Sequence, residues 1–105
     1  MAAFLDDLAL CTGFDWDAGN ADKNWLAHQV SQAESEEPFF NRPVLIAPDV
    51  QHSAREARLA LLGVSNAGRH LAIVFTVRGT LVRVISARDM GPRGRRVYER
   101  AQAEE

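Results

Sequence analysis

One cysteine (Cys11) and one lysine (Lys23) are all that 105 residues contain of either type. A lone thiol excludes an intrachain disulfide framework and a cysteine-rich metal cluster. No apolar run approaches the roughly 20 residues that span a bilayer. The opening residues, Met1-Ala-Ala-Phe-Leu-Asp-Asp7, carry acid where a secretory signal carries positive charge, so a cytoplasmic setting without membrane contact is expected. A glycine-rich phosphate loop, an HExxH pair and a nucleophile elbow are also missing. Residues 63–68 carry glycines but read as a hairpin turn. Asp6, Asp7, Asp15 and Asp17 fall on different elements and read as a solvated acidic side, so no metal and no cofactor is expected.

What remains is the composition of one globular domain spanning 1–105, with 47% hydrophobic and 25% charged residues. A net charge of −2, taken alone, argues against a nucleic-acid partner. The two halves argue otherwise. Residues 1–51 hold nine acids against two basic residues, a net of −7, whereas residues 52–105 hold ten arginines against five acids, a net of +5. Such a bipolar chain offers one side to polyanions and the other to a basic partner. Eleven of the twelve basic residues are arginine, whose planar fork suits phosphate.

Residues 2–10 suit a short amphipathic helix with Phe4, Leu5 and Leu8 on one face. Phe14 and Trp16 share one side of an extended segment. Asp17 is placed to cap a helix running to about His28, with Ala21, Trp25 and His28 inward. Ser31-Gln-Ala-Glu34 matches a capping box for a helix from Gln32, which Pro38 ends. Strands are expected at 44–47, 56–64, 70–77 and from Thr80 onward, and Met90, Val97 and Ala101 support a C-terminal helix. The expected fold is α+β: a small, mostly antiparallel sheet with two N-terminal helices on one face and a C-terminal helix closing it.

The stretch 81–90, Leu-Val-Arg-Val-Ile-Ser-Ala-Arg-Asp-Met, organises that sheet. Leu81, Arg83 and Ile85 point to one side of a strand, and Val82, Val84 and Ser86 to the other. Arg83 thus shares a face with two aliphatic residues, a costly placement unless the face opens onto water or an anion. The strand therefore reads as the wall of a phosphate-binding cleft. With Arg78-Gly79 as a two-residue loop, Val74 faces Arg83, Ala72 faces Ile85 and Arg69 faces Arg88. Like charges directly opposed repel, so Arg69 and Arg88 either hold an anion between them or splay into water.

His52 and Glu56 offer a base and an acid beside Arg58. RNA cleavage by transesterification needs a 2′-hydroxyl deprotonated, the phosphorane charge stabilised and the leaving 5′-oxygen protonated. Histidine suits either proton transfer, and convergent arginines stabilise the charge. His28 and His70 read instead as packed or edge imidazoles.

Phe14-Asp-Trp-Asp17, Ala21, Asn24, His28, Val30-Ser31, Asp49, His52-Ser53, Glu56-Ala-Arg58, Gly63, Gly68-Arg69, Phe75-Thr-Val-Arg78, Arg83-Val-Ile-Ser-Ala-Arg88 and Tyr98-Glu99 follow one another in a characteristic order. Over residues 14–99, with 1–13 as an N-terminal extension, this order resembles the BrnT family of toxins. The resemblance implies a RelE-like fold and a metal-independent endoribonuclease of a bacterial type II toxin–antitoxin system. Such a toxin cleaves RNA, inhibits translation and is neutralised by a BrnA-like antitoxin with a ribbon-helix-helix domain, so operator DNA is reached only through the antitoxin. Carried onto this chain, it points to His52, Glu56, Arg69 and Arg88 as catalytic, and to Lys23, Arg58, Arg78 and Arg83 as RNA-binding. Three departures stand out: Asn20 replaces a lysine usual in relatives, Ala27 replaces the lysine before His28, and Gly94 replaces a glutamate. The first two remove positive charge and the third loosens the last helix, which leaves an alternative: a catalytically silent module that only complexes its antitoxin and RNA.

Overall fold

The two longest apolar alternations, 70–78 and 81–89, form a hairpin inside a five-stranded sheet. The computed structural model describes residues 3–49 and 56–105. In chain order these form α1 (Ala3–Ala9), β1 (Gly13–Phe14), α2 (Lys23–His28), α3 (Gln32–Glu36), a 3-10 turn (Glu37–Phe39), β2 (Leu45–Pro48), β3 (Leu59–Val64), β4 (His70–Arg78), β5 (Leu81–Asp89) and α4 (Pro92–Ala103). The sheet order is β1-β5-β4-β3-β2, antiparallel except that β1 runs parallel to β5. Among the described residues no helix is long and apolar enough to cross a membrane.

Alternation decides the two faces. Leu59 and Leu61 of β3, Leu71, Ile73 and Phe75 of β4, and Val82, Val84 and Ala87 of β5 are buried on one side with Val30. The N-terminal segments cover this side. Phe39 meets Phe75 edge-to-face at 5.0 Å, and Phe14 packs on Phe39 at 5.2 Å. Gly63 faces Pro38 so closely that an added Cβ would lie 2.9 Å from the proline ring. Ser31 caps α3 as expected, accepting a hydrogen bond from the Glu34 N–H at 3.0 Å. The opposite face carries Ala60, Leu62, Ala72, Val74, Ser86 and Ile85, all half-buried, and α4 lies across one end of it.

Several expectations are corrected. The helix expected over residues 2–10 is present as α1, so three short helices and not the two of the expected fold precede β2, and β1 is an additional strand. No helix starts at Asp17: its carboxylate accepts the Gly19 N–H at 2.8 Å in a tight turn, so α2 is only six residues long. The inward residue of α2 is Asn24, whereas Trp25 is 53% exposed. The reason is polar. β1 pairs with only two residues of β5, and the remaining edge needs hydrogen-bond partners. The Ala87 N–H donates to Asn24 Oδ1 at 3.0 Å, and the Asn20 amide donates to the Val84 and Asp15 carbonyls, both at 3.0 Å. Asn20 is thus a buried tie and not a lost positive charge.

The hairpin loop is Gly79-Thr80 rather than Arg78-Gly79, because Arg78 pairs with Leu81. Gly79 takes the first loop position at φ 61°, where glycine alone is unstrained. Thr76, not Val74, therefore opposes Arg83. A bulge at Ile85 then adds one residue to β5, so Val74 opposes Ser86 and Ala72 opposes Arg88. Ser86 joins the face of Arg83, and Arg69 never faces Arg88. In α4 the buried side is Gly94, Tyr98 and Ala101; Val97 is half-exposed. Gly94 lies against Leu62, and the Tyr98 hydroxyl donates to the Pro43 carbonyl at 2.6 Å.

Asn20→Ala strips the Val84 carbonyl of its buried partner and is expected to lower unfolding stability by about 1–3 kcal/mol. Urea titration of both proteins measures this, and an unchanged midpoint and slope would contradict it.

Candidate active site on the open face

Arg83 and Arg78 sit on the exposed face near the β4–β5 turn, on neighbouring strands. Segment 56–58 is drawn beside them because the Thr76 hydroxyl donates to the Ala57 carbonyl at 2.8 Å and the Asp49 N–H donates to the Arg58 carbonyl. Glu56 then receives two hydrogen bonds from Arg78, from Nε at 3.2 Å and Nη2 at 2.9 Å. From the other side, Arg83 donates to both oxygens of Asp17 at 3.0 Å and lies 3.5 Å from Asp15. Its side chain is only 12% exposed, so the guanidinium is held in one pose. The result is one cluster: Arg58, Arg78 and Arg83 interleaved with Glu56, Asp15 and Asp17.

The electrostatics follow from these bonds. Hydrogen bonds from Arg78 hold the Glu56 carboxyl below the ordinary carboxylate range, with Arg58 and Arg83 adding to the pull. Arg83 does the same to Asp17, helped by the Gly19 N–H. Both groups are therefore ionised at neutral pH. Arg78 and Arg83 keep further N–H donors beyond those their carboxylates use, so the cluster can orient an anion. Among the described residues no group of three acids, histidines or cysteines is arranged to hold a metal ion.

The expected site residues divide into three groups. Glu56, Arg58, Arg78 and Arg83 come together. Arg88 is exposed on the same face, opposite Ala72 and several residues along β5 from the cluster. Arg69 lies elsewhere, at the far end of the β4–β5 pair. Its Nε and Nη2 donate to Asp89 at 2.7 and 3.2 Å, Nη1 to Glu34 and the Gln29 carbonyl at 2.9 Å, and Nη2 to the His28 carbonyl at 3.0 Å. These bonds use all five donors of a guanidinium. Lys23 is exposed at the start of α2, and His52 lies outside the described residues. Asp15 and Asp17, read from the sequence as solvated acids, are instead the partners of Arg83. The signal for them was the arginine itself, a charge among aliphatic residues that needed an anion.

A cleft of about 320 Å³ on the other side of the sheet is lined mainly by apolar residues including Leu8, Phe14, Phe39 and Phe40. Among the described residues no arginine lines it.

In comparison with known proteins, residues 16–93 match the family model described as the ribonuclease toxin BrnT of type II toxin–antitoxin systems. A search of the curated proteins finds no match.

Asp89 is held below its ordinary value of 3.8 by the hydrogen bonds from Arg69. A depressed folded value stabilises the native state above the unfolded value and loses that contribution as pH falls through the folded one. Asp89→Asn is therefore expected to flatten the loss of stability as pH falls below the unfolded value of about 4. Urea midpoints across this range test it; parallel acid limbs for both proteins would refute it.

Proposed function

Since the chain belongs to the BrnT family of ribonuclease toxins of type II toxin–antitoxin systems, we propose that it is a metal-independent endoribonuclease. In this reading it cuts RNA at the arginine–carboxylate cluster of the open face and so blocks translation until a BrnA-like antitoxin binds. Family membership implies an RNA target and an antitoxin partner. The observation that carries the reading to these residues is Arg83, whose side chain is only 12% exposed and is held by Asp17 on the same face as Arg78.

The proposed step is a transesterification. The 2′-hydroxyl gives up its proton, its oxygen attacks phosphorus, and the P–O5′ bond breaks as the 5′-oxygen takes a proton. The products are a 2′,3′-cyclic phosphate and a 5′-hydroxyl. Glu56, kept ionised by Arg78, is suited to accept the first proton and unsuited to donate the second at neutral pH. The donor role goes to His52. Arg78 and Arg83 stabilise the charge on the phosphorane with donors that are already oriented, Arg58 and Arg88 contact flanking phosphates, and Arg69 holds α2, α3 and β5 in position. Reaction in the cytoplasm follows from the target.

One observation favours a second reading, the catalytically silent binding module. Asp17 and Glu56 already occupy the arginines that phosphate must reach.

The two readings separate in one experiment. Antitoxin-free protein is incubated with structured RNA in excess EDTA and the product ends are analysed. Cleavage is expected to leave 2′,3′-cyclic phosphates, and Arg83→Gln or Glu56→Gln to slow it by about 10²–10³-fold without unfolding the protein. Undiminished cleavage by both variants would remove this cluster from the mechanism. A folded wild type that binds RNA and cleaves none would establish the silent module.

A further inference from the structure

The cluster that would hold the scissile phosphate contains three guanidinium and three carboxylate groups, so the described part of the site has no net charge. Such a site orients a phosphate but does not draw a polyanion from solution, since paired charges cancel beyond the screening length of about 8 Å at physiological salt. The attraction has to arise elsewhere on the same face.

Helix α4 supplies it. The helix lies on the open face of the sheet, fixed by Gly94 against Leu62 and by Tyr98 against His70, whose rings meet edge-to-face at 5.5 Å. Arg93, Arg96 and Arg100 are exposed on it. At 3.6 residues per turn these three fall within a sector of about 60° and along roughly 10 Å of the axis, turned away from the buried side. None of the three has a carboxylate partner among the described residues; Arg95, off this stripe, is the one that pairs with Glu99 at 3.2 Å. Arg88, also exposed, lies on β5, the strand that carries Arg83.

We propose that Arg93, Arg96 and Arg100 form a capture site for the sugar-phosphate backbone of a single RNA strand, separate from the cluster that would cleave it. The proposal rests on the reading that RNA is the target. The stripe suits a nucleic-acid backbone better than a protein segment, because the one large apolar side chain beside it on the helix is Val97, and protein interfaces need a buried apolar centre. Apolar surface of that kind lies instead on the other side of the sheet, around Phe40.

The test uses a 2′-O-methyl oligonucleotide, which has no hydroxyl to attack, so binding is measured without cleavage. Its affinity for the wild type and for the triple variant Arg93→Gln, Arg96→Gln, Arg100→Gln is titrated against salt. Glutamine keeps the helix propensity, and circular dichroism checks the fold. Losing three phosphate contacts is expected to reduce the log–log salt slope by about 2, making the fall in affinity on doubling the salt about fourfold smaller. On cleavable RNA the variant is expected to show a raised KM at unchanged kcat. An unaltered slope overturns the proposal, and an unaltered slope with weakened antitoxin binding assigns the stripe to a protein partner. A wild type that cleaves RNA but does not bind the oligonucleotide also overturns it. A reduced slope in a protein that cleaves nothing supports the capture site and defeats the nuclease reading alone.

Discussion

The unpaired edge of β5 is the constraint on which the rest of this structure depends. β1 satisfies two of its residues and stops. Beyond it, the Val84 carbonyl and the Ala87 N–H flank the bulge at Ile85, in a place closed to water. Asn20 and Asn24 supply the missing partners with their side chains. Each bond contributes only about 1 kcal/mol when made, but leaving such a group buried and unmet costs more. The two asparagines therefore fix the turn 17–20 and helix α2 on the strand. That placement sets Asp15 and Asp17 over Arg83 and brings the last carbonyls of α2 within reach of Arg69.

Charge is distributed differently from what a tally of the two halves suggests. An acidic half and a basic half read as two oppositely charged sides. In the folded chain the halves neutralise one another at specific pairs: Asp15 and Asp17 with Arg83, and Glu34 with Arg69. Glu56 and Asp89 complete the matching for Arg78 and Arg69. Forked, two-point pairing holds these guanidinium groups in place. Among the described residues Arg88 and, on α4, Arg93, Arg96 and Arg100 are exposed and outside these pairs.

Much of this architecture is legible in the residues. The alternation in β4 and in the first half of β5, the serine cap of α3, the stop at Pro38 and the closing helix follow from local chemistry. So does the anomaly of Arg83, which announces an exposed charged face. The rest depends on information that a single strand does not carry. A bulge adds one residue without changing the pattern around it, and it moved Ser86 and Arg88 relative to β4. The loop could begin at Arg78 or at Gly79, since glycine is useful at either position, and that choice set the supposed opposition of Arg69 and Arg88. Trp25 outranks Asn24 as an inward residue on hydrophobicity alone. It loses because the surface it would meet is a row of backbone polar groups. The partners of Arg83 come from the segment that follows the short parallel strand β1, more than sixty positions away, and spacing offers no hint of that pairing.

Neither margin of the sheet offers a long free strand edge. On one side β1 and the two asparagines occupy the edge of β5. On the other, β2 is four residues long, follows Pro43 and ends in Pro48, and proline lacks the N–H that a neighbouring strand would need. Short, proline-bounded margins give one copy little to recruit another copy with. Edge-to-edge aggregation is thereby discouraged in the same molecule that leaves a broad face of its sheet uncovered.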